Sequence, residues 1–262
     1  MVNHPVIIVT GASRGLGASI AAWLGRAKAI VVLVARNRRA LKHAAAQVQD
    51  QGGTAFVLAA DVAHADECAS IVTQTIETFS RLDALVNNAG VFGPLAAVAD
   101  TNPDQWRRNL EVNLLGTYYL TRAAIAPLRR HRGRIVNVSS GAANHPISKA
   151  SAYCAAKAGL NHFTCVLAQE EPLLTVVAVR PGVVDTAMQA YIREQGPGVM
   201  EPDQIAYYQN LKTEGLLEPP FVPARVIAWL ALNAPEALSG EFLSYDDQRV
   251  RQPSEAFFGP GL

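Results

Sequence analysis

Six short runs of apolar, largely β-branched residues alternate with longer stretches of helical pattern, and this alternation restricts the fold more than any other feature. The runs begin at Val6, Ile30, Thr54, Leu82, Arg134 and Thr175. Continuous apolar runs are typical of strands buried on both faces, and strands that alternate with helices form parallel sheets. A seventh run, Glu241 to Ser244, predicts an edge strand. The pattern predicts an α/β fold: a doubly wound, Rossmann-type parallel sheet of about seven strands with helices on both faces.

The composition is consistent with a single soluble domain over residues 1–262. Half of the residues are apolar, and no linker or repeat interrupts the pattern. The net charge of +1 gives no reason to expect nucleic acid or an anionic membrane as a partner. No apolar stretch approaches the ~20 residues that span a bilayer, and MVNHPVIIVT lacks the pattern of a secretory leader. Because the three cysteines and six histidines show neither disulfide nor metal-ligand spacing, we expect a cytoplasmic protein without a metal.

A glycine-rich turn follows the first predicted strand. Residues 10–17 read TGASRGLG, and an alanine-rich helical stretch comes next. Glycines let the backbone approach a pyrophosphate, and a helix N-terminus offers free N–H groups and the positive end of the helix dipole. The turn therefore predicts a dinucleotide site, although such a turn can also be purely structural. The predicted cofactor contacts here are Gly11, Ser13, Arg14, Gly15, Leu16 and Gly17.

The end of the second strand favours NADP over NAD. NAD binding usually needs an acidic residue about 20 positions after the glycines, but Ala35 and Arg36 stand there. Arg36 and Arg14 could each donate a charge-assisted hydrogen bond to a 2′-phosphate, worth about 1.5–3 kcal/mol. The alternative is that both arginines are solvated surface charges. Further predicted contacts follow later strands: Asp61 and Val62 beside the adenine, and Asn88, Ala89 and Gly90 beyond the fourth strand.

The stretch from Gly133 to Lys157 carries the predicted catalytic groups. A strand delivers Ser140 to a loop, and the following helix places Tyr153 and Lys157 on one face, four residues apart. A free tyrosine ionises near pH ~10. An ammonium ~4 Å away contributes about 4 kcal/mol at an effective dielectric near 20, enough for the phenol to exchange a proton near neutrality. Ser140 could hydrogen-bond the same substrate oxygen.

Two other polar positions need an interpretation. Asn113 lies in LEVNLLGTYY, within a long helix predicted over residues 103–128. A buried amide in a helix must find partners, so Asn113 is either structural or holds a water in a proton path. A second Tyr-x-x-x-Lys, Tyr208 to Lys212, has no preceding apolar strand. We interpret this second motif as a solvated helix face.

Together these motifs resemble, in order and over nearly the whole chain, those of the short-chain dehydrogenase/reductase family. They are Thr10-Gly11-x-x-x-Gly15-x-Gly17, Asn87-Asn88-Ala89-Gly90, Asn113, Ser140, Tyr153-x-x-x-Lys157 and Pro181-Gly182 with Thr186. The resemblance implies a catalytic tetrad of Asn113, Ser140, Tyr153 and Lys157. It adds Tyr153, Lys157, Pro181, Gly182, Val184 and Thr186 to the cofactor contacts. It also implies a homodimer or homotetramer paired through the helices that bear Asn113 and Tyr153.

The last third of the chain is similar to sepiapterin reductases and related benzil-reductase-like proteins. The matching segments are NHFTCVLAQEEP, RPGVVDTAMQAYIRE, LKTEGLLEPP and SGEFLSYDD. Tyr245-Asp246 matches a pair that anchors the pterin in sepiapterin reductase, but Asp246 can equally end an edge strand in solvent. Residues 186–220, rich in Gly, Pro and polar residues, predict a substrate lid. The candidate substrate contacts are Ser140, His145, Tyr153, Met188, Tyr191 and Asp246, with core filling as the alternative for Met188 and a surface position for His145.

These features predict an NADPH-dependent carbonyl reductase in which Tyr153 protonates the oxygen of the substrate. Ser140 orients that oxygen, Lys157 lowers the tyrosine pKa and holds the nicotinamide ribose, and Asn113 supports a water path. The resemblance implies a vicinal dicarbonyl, an aromatic diketone or a pterin side-chain ketone as substrate. The alternatives are an NADP-dependent dehydrogenase of another secondary alcohol and a dinucleotide-sensing protein without turnover.

Overall fold

The computed structural model describes residues 4–259, so the two ends of the predicted domain, residues 1–3 and 260–262, lie outside the described residues. Seven strands form one parallel sheet in the order β3-β2-β1-β4-β5-β6-β7. The strands are β1 Val6–Thr10, β2 Ile30–Ala35, β3 Thr54–Ala59, β4 Ala84–Asn87, β5 Arg134–Val138, β6 Thr175–Arg180 and β7 Phe242–Ser244. The predicted doubly wound parallel sheet is confirmed. The order in which strands join the sheet reverses between β1 and β4: β2 and β3 lie on one side of β1, and β4 to β7 lie on the other. Sheets of this kind bind ligands at this point, beyond the carboxyl ends of the strands.

The helices connect the strands as the pattern predicts. They are α1 Gly15–Arg26, α2 Arg38–Asp50, α3 Ala65–Phe79, α4 Pro103–Leu110, α5 Gly116–Arg129, α6 Ser151–Glu170, α7 Ala187–Gln195, α8 Pro202–Thr213, α9 Phe221–Asn233 and α10 Gln248–Phe258. Within residues 4–259, none of them combines the length and the apolar character that a membrane span requires.

Alternate residues of the central strands enter two separate cores. Ile7 and Val9 of β1 pack with α1 and α9, whereas Val6 and Ile8 pack with α3 and α5. All four side chains are fully buried. Successive side chains of a strand point to opposite faces, so a strand covered by helices on both sides must be apolar throughout. This arrangement accounts for the unbroken apolar runs in the sequence.

A π-helical turn, Glu111–Leu115, separates α4 from α5. The backbone N–H of Gly116 donates to the carbonyl of Glu111, five residues earlier. Gly116 also lets α5 approach the loop after β3, because a Cβ there would lie 2.8 Å from the carbonyl oxygen of Val62. The helical stretch predicted over residues 103–128 is therefore confirmed, and one π turn that the sequence did not indicate lies in its middle. Single π turns inside helices frequently mark functional sites.

The segment predicted as a lid contains α7 and α8. Its two ends meet where Val184 and Glu218 form an isolated parallel bridge. Between them, Ile192 packs in an apolar cluster that also contains Phe92 and Tyr153. The segment thus covers the region around the predicted catalytic tyrosine.

Candidate active site

The glycine turn adopts the conformation that only glycine accepts readily. Gly11 and Gly15 have φ values of +63° and +54°. A Cβ on Gly11 would lie 2.9 Å from the Cα of Ala89, and a Cβ on Gly15 would lie 3.2 Å from the methyl group of Thr186. The amide of Asn88 donates to the carbonyl of Thr10 at 2.9 Å. The predicted cofactor residues after β1, β4 and β6 therefore lie side by side.

The same turn fits the pyrophosphate of a dinucleotide. A side chain on Gly17 would overlap the carbonyl oxygen of Gly11, so the backbone there leaves room for no side chain. Arg14, at the N-cap of α1, forms no side-chain hydrogen bond with the helix. N–H groups at a helix N-terminus are a ready anion site. Ser13, Arg14 and Leu16 belong to the same turn, and Arg14 is exposed; their contacts with a cofactor stay predictions.

Asp61 is fixed at the predicted adenine end of the site. Partial burial alone would raise the pKa of Asp61, but a hydrogen bond from the Ala63 N–H and the guanidinium of Arg108 outweigh burial and lower this pKa. The charge of the exposed Arg36 acts in the same direction, which places Arg36 near Asp61. Val62 is buried against Gly116. The carboxylate of Asp61 is therefore ionised and oriented.

Asn113 holds the segment that follows β4. Its amide nitrogen donates to the carbonyl of Val91 at 2.8 Å, and its oxygen accepts from the Val91 N–H at 3.1 Å. A Cβ on Gly90 would lie 2.8 Å from that oxygen and 4.0 Å from Nζ of Lys157. Asn113 and Lys157 thus flank the same glycine. The predicted need for amide partners is confirmed, and the role in a water path stays a prediction.

Tyr153 and Lys157 share the first turns of α6, as their spacing predicts. They are 6% and 5% exposed. Nζ of Lys157 donates to the carbonyl of Val138 at 2.8 Å and lies 5.7 Å from the centroid of the Tyr153 ring. The hydroxyl of Ser140 forms a hydrogen bond with the Tyr153 phenol and accepts one from the Ala142 N–H at 3.2 Å. The structure therefore brings all four predicted catalytic side chains together.

The direction of the tyrosine pKa differs from the prediction. Burial raises the pKa of Tyr153 to about 12, and the hydrogen bond from Ser140 offsets only part of this increase. Burial also lowers the pKa of Lys157 to about 8. The predicted lowering of the tyrosine pKa by Lys157 is wrong: burial sets the direction, and Lys157, whose ammonium is bonded to the carbonyl of Val138, is not among the groups that shift this pKa. At neutral pH, Tyr153 is protonated and Lys157 is largely charged.

An apolar cluster lies against Tyr153, the predicted catalytic tyrosine. The rings of Phe92 and Tyr153 have centroids 4.8 Å apart. The other buried members of the cluster are Ala142, Ala150, Ile192, Met200, Ile205 and Tyr208. Met188 packs against this cluster, and the hydroxyl of Tyr191 lies beside Gly93. Both predicted pocket residues therefore lie at the edge of an apolar region around the site.

Tyr208 is part of that cluster rather than of a solvated face. It is 9% exposed, and burial raises its pKa. Lys212 points away and pairs with Asp185 at 2.8 Å in an exposed salt bridge. The interpretation of the second Tyr-x-x-x-Lys as a solvated helix face is wrong for Tyr208. The local sequence could not reveal this, because the residues that cover Tyr208 come from other segments.

The remaining candidates lie at the surface or on the cofactor side. His145 and Asp246 are exposed, and Asp246 accepts a hydrogen bond from the hydroxyl of Ser244. The phenol of Tyr245 donates to Glu218 at 2.6 Å. His145 and Asp246 as substrate contacts stay predictions.

Pro181 and Gly182 directly follow β6, and Gly182 has a φ of +74°. Its Cβ position would lie 2.9 Å from the ring of Tyr245. Val184 is buried, and its carbonyl accepts from the hydroxyl of Thr186. This loop therefore runs from the sheet edge to the glycine turn. Among residues 4–259, no group of three or more His, Cys, Asp or Glu side chains could hold a metal ion.

Comparisons with known proteins agree with this geometry. Residues 5–197 match the family model of the short chain dehydrogenases. The chain is 36% identical over 259 residues to a benzil reductase ((S)-benzoin forming), IRC24 of Saccharomyces cerevisiae, covering 94% of this chain and 97% of that protein.

Two solved structures extend the comparison. The short-chain dehydrogenase/reductase YIR035C of S. cerevisiae superposes with a TM-score of 0.89 at 35% identity, covering 95% of this chain and 98% of the other. An actinorhodin polyketide ketoreductase with NADPH gives a TM-score of 0.84 at 30% identity, with 92% and 95% covered. The fold of this family binds nicotinamide dinucleotides. This chain belongs to the short-chain dehydrogenase/reductase family and is an oxidoreductase of that family.

Proposed function

We propose that the protein is an NADPH-dependent carbonyl reductase that acts on apolar ketones and vicinal dicarbonyls. The observation that carries this proposal is an almost fully buried Tyr153, which lies beside Ser140 and Lys157 and packs against an apolar cluster. A buried phenol beside a serine hydroxyl and an ammonium is placed to donate a proton to a carbonyl oxygen, as reduction of a carbonyl requires. The reduced nicotinamide, when bound, supplies the hydride for the carbonyl carbon.

Each member of the tetrad has a distinct role in this proposal. Ser140 donates a hydrogen bond to the carbonyl oxygen and aligns it with the phenol. Tyr153 transfers its proton to that oxygen, which becomes the hydroxyl of the product. The ammonium of Lys157 would hold the ribose of the bound nicotinamide beside the phenol. Asn113 holds the adjoining backbone and supports the path by which a proton returns from solvent.

NADP is the proposed cofactor because of two arginines. Arg14 and Arg36 are exposed at the glycine turn and at the end of β2. Arg36 occupies the position where NAD-binding chains usually carry a carboxylate. Two guanidinium groups are suited to bind a 2′-phosphate. The similarity to a ketoreductase solved with NADPH supports the same choice.

The lining of the site favours an uncharged, apolar substrate. The buried side chains that pack around Tyr153 include the apolar Phe92, Ile192 and Met200. Burying an unpaired charge there would be costly. Asp246, the residue that would anchor a pterin, is exposed and hydrogen-bonded to Ser244. These observations favour an aromatic diketone over a pterin, in keeping with the similarity to a benzil reductase.

We also propose that the protein is a homodimer that pairs through α5 and α6. Tyr118 of α5 and Phe163 of α6 are in ring contact at 6.3 Å, so the two helices form one surface. That region exposes Leu115, Tyr118 and Val166 by 37–43%. A contiguous apolar surface on a soluble protein marks an interaction site.

The proposal is tested by following NADPH absorbance with the purified protein. Benzil, a pterin ketone and a simple aldehyde are supplied in parallel, each with NADPH or NADH and with a blank lacking enzyme. We expect the fastest oxidation with benzil and NADPH. Oxidation no faster than the blank with all three substrates would contradict the proposed function, and a preference for NADH would contradict the choice of cofactor.

A further inference from the structure

Asn109 forms a dense hydrogen-bond network that no part of the proposed mechanism uses. Its side chain is 1% exposed. The amide nitrogen donates to the carbonyl oxygens of three successive residues, Val91 at 3.3 Å, Phe92 at 3.1 Å and Gly93 at 2.6 Å. Its oxygen accepts from the amide of Asn113 at 2.7 Å.

We propose that Asn109 is a positioning residue for the reduction. It fixes the segment of residues 91–93, so that Phe92 stays against Tyr153, and it sets the orientation of the Asn113 amide. This inference rests on the proposed reductase function and adds a residue to it. Asn109 touches neither the reacting atoms nor the cofactor in this role.

The segment of residues 91–93 needs such support because it lies outside the regular secondary structure. Carbonyl groups of a buried loop have no ladder partners and must be satisfied by side chains or water. Phe92 is 6% exposed, and its ring is tilted by 42° against the ring of Tyr153. Since Phe92 forms one wall around the phenol, a shift of its backbone would change the orientation of the proton donor.

The second part of the inference concerns the direction of the Asn113 amide. The nitrogen of Asn113 faces the oxygen of Asn109, and its own oxygen faces the Val91 N–H. If the Asn113 amide were flipped, its NH2 group would face the Val91 N–H, so that two donors would meet. Its oxygen would face the oxygen of Asn109, so that two acceptors would meet. Asn109 therefore selects one orientation. The oxygen of Asn113 in that orientation lies near Gly90, as does Nζ of Lys157.

The test is a double-mutant cycle on kcat between Asn109 and Phe92. Asn109→Leu removes the hydrogen bonds and keeps the branching of the side chain, and Phe92→Leu removes the ring contact. We expect each variant to lower kcat with benzil about tenfold or more, and the double variant to be no slower than Asn109→Leu, because coupled neighbours are not additive. The Kd for NADPH, measured by fluorescence, should change by less than about twofold, since Asn109 contacts no cofactor residue's side chain.

A control cycle is measured between Thr75 and Phe92, with Asn109 left unchanged. This buried hydroxyl bonds the carbonyl of Ile71 within α3, and Thr75→Val combined with Phe92→Leu should give additive effects. Asn109→Asp serves as a second variant if Asn109→Leu does not fold. A buried carboxyl group facing three carbonyl oxygens stays protonated until the pH rises. Its kcat should therefore fall with increasing pH over a range in which circular dichroism shows the protein folded and wild-type kcat is constant.

Two outcomes would overturn the role of Asn109. If the wild-type protein is active and the losses of kcat in Asn109→Leu and Phe92→Leu add up in the double variant, the two residues act separately. A flat pH profile of folded Asn109→Asp, at the wild-type kcat, would show that the donors to residues 91–93 are dispensable. Absence of turnover by the wild-type protein is a different result, because it would overturn the proposed function itself.

Discussion

Replacement of Lys157 by Met tests the electrostatics of the site without an assay of turnover. Lys157 is 5% exposed, and burial lowers its pKa from 10.5 to about 8. A shift of this size corresponds to about 3 kcal/mol of unfolding free energy. Below pH 8, Lys157 is charged in both the folded and the unfolded protein, so the full cost of burying its charge reduces the unfolding free energy. At neutral pH the wild-type protein is therefore less stable than it would be with a neutral Lys157.

The sign of the pH dependence follows from the two pKa values. Between pH 8 and 10.5 the unfolded chain keeps the lysine proton that the folded chain has lost. Because the unfolded state then binds more protons, the unfolding free energy of the wild type rises with pH over this range. Lys157→Met has no such group, so its profile lacks this rise. The difference in unfolding free energy, wild type minus variant, should increase by about 3 kcal/mol across this pH range.

The assay is urea unfolding of both proteins at several pH values from neutrality to above 10.5. Loss of the bond to the carbonyl of Val138 changes the variant by a constant amount, and this does not affect the slope. Lys42→Met, at an exposed position on α2, should give a profile parallel to that of the wild type. Parallel profiles for wild type and Lys157→Met would refute the burial of a charged lysine beside Tyr153.

Three further predictions concern cofactor, substrate and assembly. Arg36→Asp should shift the ratio of kcat/KM for NADPH over NADH by about tenfold or more toward NADH, and an unchanged ratio would show that Arg36 does not read the phosphate. Tyr208→Phe should raise KM for benzil severalfold, because a buried phenol in the apolar cluster can donate to the second carbonyl oxygen of the substrate. Tyr207→Phe is the control and should leave KM unchanged, because Tyr207 is 53% exposed. Equal effects of the two substitutions would contradict a substrate contact of Tyr208. Tyr118→Asp should convert the dimer into a monomer in sedimentation velocity, and an unchanged dimer would exclude the α5/α6 face.

Most of the fold could be predicted because burial on both faces leaves a clear trace in the sequence. The starts of β2, β3, β5 and β6 agree with the predicted runs. The predicted fourth strand begins two residues too early, since Leu82 lies outside β4, which begins at Ala84. The π turn escaped prediction, since a helical pattern does not distinguish α from π hydrogen bonding.

The site could be predicted only in part. The spacing of Tyr153 and Lys157 placed both on one helix face, but spacing carries no information about burial, and burial sets their pKa values. Asn109 was missed although it stands four residues before Asn113, a spacing that puts two amides on the same face of a helix. An asparagine pair at that spacing in a predicted helix was the available signal. For Tyr208, the covering residues are distant in sequence, and no local signal existed.

The central claim is that Tyr153 donates the proton in a carbonyl reduction, and Tyr153→Phe tests it most directly. NADPH oxidation with benzil is measured for the wild type and the variant, together with the Kd for NADPH by fluorescence titration. The account predicts turnover by the wild type, a loss of kcat of about 10²–10⁴-fold in Tyr153→Phe, and an NADPH Kd changed by less than about twofold. A variant that retains wild-type turnover would contradict the account.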